Sequence, residues 1–307
     1  MQPDTIIYAR NGIGNLLMHT PAIQALASMD ASKHVDFCLD SEWHDSRMVG
    51  IEDIMSNWPL VNKIYHYPKE PIRHKYKLWF HTPHNEMSKA YEYFQRQGKI
   101  LEMRVDWKRT MLHETEYYMI LARKLGYTGP TPLKFCPVAA GPILERVKDR
   151  PLVGICNGYF HTQSWDKKAW PYFAELVQAL HGRYNAQIVK IGIEKELEGI
   201  RGDIDYVGKL RFTETAKVIS QLDLMISTDT SSMHVADALQ VPCITMFGGT
   251  FVFKSGPLSK KSYVLVSPAK CRPCQSTDAF VECKDYACMK SITVGDVMAK
   301  IRKENLL

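Results

Sequence analysis

No apolar run in this 307-residue chain approaches the length needed to cross a bilayer. The opening residues, MQPDTIIYAR, lack a basic segment followed by an apolar stretch, so no secretory signal is visible. Internal repeats and low-complexity tracts are absent as well. A cytoplasmic, globular protein is the expectation. In that compartment the eight cysteines read as reduced or metal-bound thiols rather than as a disulfide framework. The dinucleotide fingerprint is incomplete too. Gly12 and Gly14 follow a first strand, but the third glycine and the acidic partner are missing, which sets a nicotinamide enzyme aside. Two readings of this turn remain. It is a tight turn that needs positive φ, or a place where backbone passes close to a ligand.

What is present is an alternation of strands and helices. The length suggests two domains. Thr5–Ala9, Val35–Leu39 and Lys77–Phe80 read as strands. Arg10 to Asn15 reads as a turn, and Leu16 to Ser28 as a helix in which Pro21 forces a kink or a restart. Glu114 to Leu125 has helical spacing and ends at Gly126. Glycines and prolines then crowd residues 126–151, as in an interdomain connection. A second alternation begins at Leu152. It runs through an amphipathic helix from Trp170 to His181, strands at Gln187–Ile191 and Ile204–Val207, and a helix from Thr213 to Leu222 capped by Thr213. Tyr263–Val266 is a late strand, and a last helix spans Thr293 to Lys303. Two parallel α/β domains follow, 1–140 and 151–307, with the last helix free to pack back on the first. Ligands in such folds bind outside the carboxyl ends of the strands.

Charge is concentrated in one place. Lys63 to Arg109 holds eleven Lys/Arg against five Asp/Glu, a surplus that equals the +6 of the whole chain. Aromatics interleave these cations. The segment is either a solvated face over core rings or a surface for an anionic partner such as a phosphorylated glycan, a membrane headgroup or nucleic acid.

The most informative stretch is Leu224 to Thr250, LMISTDTSSMHVADALQVPCITMFGGT. It reads as strand, polar turn, helix, strand. Thr228, Asp229, Thr230, Ser231 and Ser232 fall where a parallel strand hands over to a helix. Hydroxyls and unpaired N–H groups there suit a phosphate. His234 stands close behind and is either a further anion contact or a core histidine.

Four stretches together resemble the family 9 glycosyltransferases, the heptosyltransferase-like enzymes. They are GIGNLLMHTPAIQAL at Gly12–Leu26, KKAWPYFAELVQAL at Lys167–Leu180, VGKLRFTETAKVISQLDLMISTDTSSMHVADALQVPCITMFGGT at Val207–Thr250, and the cysteine loop CRPCQ…ECKDYACMKSIT. The resemblance implies a glycosyltransferase B fold with two Rossmann-like domains facing a cleft. The first domain would take the acceptor and the second a nucleotide-diphosphate sugar, with inversion at the anomeric carbon and no catalytic metal. It places Lys167 or Lys168, Asp229, Thr230, Ser231, Ser232 and His234 at the donor, with Gly208 and Lys209 near base and ribose. Asn157 and Glu194 end strands that face the same cleft, and the Glu194 carboxylate could accept from a ribose hydroxyl. Gly12, Ile13 and Gly14 form the acceptor-side loop. Family members carry an aspartate as base in that loop, whereas this chain has Asn15, whose amide cannot take a proton. His19, four residues on, has a suitable ordinary pKa of about 6.5. The expectation is therefore that His19 is the base and Asn15 positions the acceptor, with Asp40 and Asp45 as weaker candidates.

Cys271, Cys274, Cys283 and Cys288 have a spacing compatible with a structural zinc, although the second pair is not CxxC. The leading functional expectation is transfer onto an anionic, lipopolysaccharide-type glycan, in the cytoplasm and at the inner membrane face. Transfer onto hydroxymethylated bases of phage DNA and a non-catalytic nucleotide-sugar-binding protein stay open. A sugar-nucleotide epimerase is disfavoured, because no carboxylate pair is apparent. The sequence leaves the nucleotide and the sugar undetermined.

Overall fold

Apolar residues on both sides of Thr5–Ala9 (β1) suit a central strand of a parallel sheet, and β1 lies between Val35–Asp40 (β2) and Leu78–His81 (β4), parallel to both. The computed structural model describes residues 1–9, 12–40, 46–81, 100–101, 111–138, 140–158, 165–193, 197–275 and 277–307. They divide into two compact units, Met1–Pro137 and Val138–Leu307.

In the first unit, Val61–Tyr67 (β3) and Ile100–Leu101 (β5) complete a sheet of order β3-β2-β1-β4-β5. Three helices are described with it: Ile13–Met29 (α1), Ser46–Ser56 (α2) and Glu114–Lys124 (α3). α1 begins earlier than the sequence suggests. Leu16 N–H donates to Gly12 O at 3.0 Å and closes the first turn, so Gly14 and Asn15 are helical. Gly12 has φ −65°, so no left-handed turn is formed there. Nor does Pro21 interrupt the helix. Its ring removes the N–H that would bind Leu17 O, and the Thr20 hydroxyl donates to that carbonyl instead, at 2.7 Å.

The second unit repeats the plan. Leu152–Cys156 (β6), Gln187–Lys190 (β7), Ile204–Asp205 (β8), Leu224–Thr228 (β9), Cys243–Phe247 (β10) and Ser262–Val266 (β11) form a sheet of order β11-β10-β9-β6-β7-β8. All its recorded pairings are parallel. Its helices are Phe173–Tyr184 (α4), Phe212–Ile219 (α5), Ser231–Ala238 (α6), Val252–Ser255 (α7), Asp278–Glu282 (α8), Ala287–Lys290 (α9) and Val294–Glu304 (α10). The cap of α5 is Arg211 rather than Thr213, which is fully buried in the first turn.

Residues 138–150 stay with the second unit. Leu144 N–H donates to Gln221 Oε1 at 2.9 Å, and the Arg146 guanidinium grips Asp223 at 2.9 and 3.1 Å. The last helix, α10, is also used there. Its apolar stripe of Val294, Val297, Met298 and Ile301 is buried in the same core as Trp170, Phe173 and Leu176. In each sheet the strand order reverses beside the first strand, between β1 and β4 and between β6 and β9. Parallel α/β sheets place ligands outside the carboxyl ends at those points.

Candidate active site

In the second unit the chain leaves β6 at Cys156 and β9 at Thr228, on either side of the reversal. The two ends are stitched together. Thr228 Oγ1 donates to Gly158 O at 3.1 Å, and Ser232 Oγ donates to Cys156 Sγ at 3.3 Å. Thr230 is the N-cap of α6 and accepts from Ser232 N–H at 3.2 Å. The first N–H groups of a helix have no intrahelical carbonyl, and the peptide dipoles add a positive potential there. Thr230 and Ser231 are half-buried at this end, whereas Asp229 and Ser232 are buried.

A cation joins them. Lys168, at the end of a short 3-10 turn Trp165–Lys168, places its Nζ 2.8 Å from Asp229 Oδ2 and donates to Asp229 O at 3.1 Å. The ammonium also lies 4.7 Å from the Trp165 ring centroid. Asp229 thus holds a lysine at the start of α6. Its neighbour does something else. Lys167 is buried and donates to the carbonyls of Phe280 and Val281, which fastens the cysteine loop. Of the two expected lysines, only Lys168 stands at the helix start.

Other expected donor residues separate in the same way. Asn157 is buried, and its amide is spent on Trp170, accepting from the backbone N–H at 2.8 Å and donating to the carbonyl at 3.1 Å. It holds the Lys–Ala–Trp–Pro segment in place. His234 is 3% exposed. Gly208 has φ +69°, and a Cβ there would lie 2.6 Å from Ile193 O. Only glycine fits that turn without strain. Lys209 is largely exposed and donates to Asp205 O at 2.8 Å. Glu194 lies outside the described residues.

The acceptor-side residues assemble differently from expectation. His19 has no exposed surface, and its ring centroid lies 3.6 Å from that of Tyr118. Asn15 is half-buried, and its Nδ2 donates to both carboxylate oxygens of Glu114, at 2.9 and 2.8 Å. Sequence reasoning passes over Glu114, which is 99 residues away and reads as an ordinary acidic residue in a first helical turn. Asp45, the side chain of Asp40, and residues 82–99 and 102–110 of the basic segment lie outside the described residues. Of the five described cations of that segment, Lys63 binds Glu70 at 2.7 Å and Lys77 binds Asp4 at 2.6 Å.

The cysteines of the C-terminal loop are all free thiols. Cys274 and Cys288 crowd the backbone of Gly249 and Gly248, where an added Cβ would lie 2.9 Å from each sulfur. Among the described residues no group of three or more His, Cys, Asp or Glu side chains is arranged to hold a metal ion. Burial pushes the Cys274 and Cys288 thiols up from their ordinary range, and the neighbouring cysteines of the loop push the same way.

Comparison with known proteins places this arrangement. The sequence profile of glycosyltransferase family 9 (heptosyltransferase) matches residues 85–284. Lipooligosaccharide heptosyltransferase 2 of Haemophilus influenzae is 27% identical over 130 residues, covering 38% of this chain and 37% of that protein. The aligned stretch is thus little more than a third of that relative. The structure of E. coli ADP-heptose lps heptosyltransferase II superposes with a TM-score of 0.68 at 18% identity, covering 99% of this chain and all of that one. The iron-containing dodecameric glycosyltransferase TibC from enterotoxigenic E. coli H10407 gives 0.66 at 14% identity, covering 99% of this chain and 79% of that one. At these identities the likeness establishes the fold, the glycosyltransferase B arrangement of two parallel α/β units. Because the family profile spans more than half of its residues, this chain belongs to glycosyltransferase family 9.

Proposed function

We propose that the chain is an inverting glycosyltransferase that moves a sugar from a nucleoside-diphosphate donor to a hydroxyl of an anionic, lipopolysaccharide-type glycan. ADP-heptose is the first choice of donor, since the relatives named above are heptosyltransferases of lipooligosaccharide and lipopolysaccharide. The observation that carries the reading is the start of α6, where Thr230, Ser231, Ser232 and the Lys168–Asp229 pair meet beside the β6/β9 reversal.

The chemistry follows from charge. As the bond from the anomeric carbon to phosphate breaks, the diphosphate takes the electron pair and its negative charge grows. Hydroxyls, helix N–H groups and one ammonium aimed at that charge stabilise the transition state more than the ground state, and losing one such donor costs about 100- to 1,000-fold in rate. Lys168 supplies the cation, and the step calls for no metal. Asp229 repels phosphate, so its part is to hold Lys168 in place. Gly208 keeps the turn near the base and ribose open, and Lys209 sits beside it. The anionic acceptor and a place at the inner membrane face rest on the basic segment and on the relatives.

Calorimetric titration with ADP tests the donor site. The native protein is expected to bind, and Lys168→Ala, measured below its own melting temperature, to bind about tenfold more weakly, as expected for loss of a charge-assisted contact. Equal affinity in the two proteins would remove Lys168 from the site.

A further inference from the structure

α1 and α3 run side by side in the same direction, and their facing residues keep step. Asn15 meets Glu114, and four residues further along each helix His19 meets Tyr118. The second pair is the deeper one, with His19 0% and Tyr118 2% exposed. The first pair lies at the two helix starts, on the carboxyl edge of the sheet where β1 ends, and its Asn15 is partly open to solvent.

Glu114 is 3% exposed, a costly place for a carboxylate unless its charge is met. It is met here by both hydrogen bonds from Asn15, and by the N-terminal turns of α1 and α3, whose dipoles favour an anion. His113 caps α3, its Nδ1 accepting from Thr115 N–H at 3.1 Å, which fixes the turn that carries Glu114. The amide thus stands in the first turn of α1, and a carboxylate from another helix is held against it.

We propose that Glu114 is the catalytic base of this enzyme, and that Asn15 is its positioning residue. The proposal rests on the glycosyltransferase reading. In the step, the acceptor O–H bond breaks and its proton passes to the Glu114 carboxylate. The acceptor oxygen bonds to the anomeric carbon, and the carbon–oxygen bond to the diphosphate breaks with the electron pair leaving on phosphate. Glu114 returns its proton to solvent after release.

The test compares the native protein, Glu114→Gln and the exchanged pair Asn15→Asp with Glu114→Gln. ADP-heptose is the donor and purified lipopolysaccharide truncated in its inner core is the acceptor. Glu114→Gln is expected to lose about 100-fold or more in kcat, the scale of general-base catalysis, while its melting temperature and ADP affinity hold. The exchanged pair, with carboxylate and amide swapped, is expected to recover at least about tenfold of that loss. A Glu114→Gln protein that keeps more than about a third of the native kcat overturns the proposal. If Glu114→Gln does not fold, the exchanged pair decides alone: turnover supports the proposal, and a folded, ADP-binding but inactive protein overturns it. A native protein that transfers no sugar overturns the glycosyltransferase reading, and this inference with it.

Discussion

Three polar residues that look alike in the sequence, Asn157, Lys167 and Lys168, have different tasks once their partners are known. Lys168 is paired with Asp229 at a helix start, Lys167 is tied to backbone carbonyls, and Asn157 is tied to the Trp170 backbone. The distinction makes opposite predictions. Asn157→Ala leaves a buried N–H and a buried carbonyl without their partner, which costs about 1–3 kcal/mol per unsatisfied group. Chemical denaturation should therefore report a lower midpoint, with ADP affinity of the folded protein little changed. A drop in affinity at unchanged stability would return Asn157 to the donor site. At this scale the sequence was legible where the chemistry is local. The Thr230 cap and its serines could be read from a strand running into a polar turn. Glu114 could not, because its meaning comes from Asn15 in a distant element. That His19 lies buried against Tyr118 could not be read either, because burial is a property of packing rather than of sequence.

Elements were read better than their edges. The strands β1, β2, β6 and β9 lie where runs of apolar residues place them, because a central parallel strand is buried on both faces. α1 was misread at two points, each for a local reason. Its start lies within the glycine turn because Gly12 O accepts the first helical bond. Its interior survives Pro21 because Thr20 answers Leu17 O, and the same hydroxyl accepts from Phe135 N–H at 2.9 Å. Thr20→Val keeps the shape and removes both bonds. It should lower stability by about 1–3 kcal/mol, since two buried backbone groups lose a partner. Thermal unfolding would check this, and an unchanged melting temperature would mean that the hydroxyl is not what reconciles proline with the helix. β3, α2 and the two-residue β5 were not foreseen. Their residues are mixed in polarity and follow neither period cleanly, and β5 is too short to have one.

For the molecule as a whole, two sheets of like order were foreseen from the alternation of elements, and the family from four separated stretches. The chain divides at Pro137, inside the proline-rich stretch 126–151, whose residues mark irregular backbone without saying which unit keeps it. An ion-paired carboxylate also gives the second unit a pH signature. Burial pushes the Asp203 carboxyl up, but bonds from Ile188 N–H, His181 and Arg150 outweigh it and hold the pKa at about 2. A carboxyl lowered from 3.8 to about 2 sets an upper bound of about 2 kcal/mol, and solvent screening at this exposed residue brings it nearer to about 1 kcal/mol. Its sign is that of a depressed acid: the contribution is full above about pH 4 and is lost as pH falls towards about 2. The Asp203→Asn protein should be less stable than the native one at pH 6, with the difference shrinking by pH 2.5. A difference that stays constant over that range would contradict the linkage.

The central claim is that this family 9 chain moves a sugar off a nucleoside diphosphate. Incubating the purified protein with ADP-heptose and lipopolysaccharide truncated in its inner core, and following ADP release with the mass of the acceptor, tests it most directly. The account predicts one ADP released for each sugar gained by the acceptor, with release abolished or strongly slowed in Lys168→Ala. Binding of ADP without any gain in acceptor mass, under conditions where a known heptosyltransferase turns over, would contradict it.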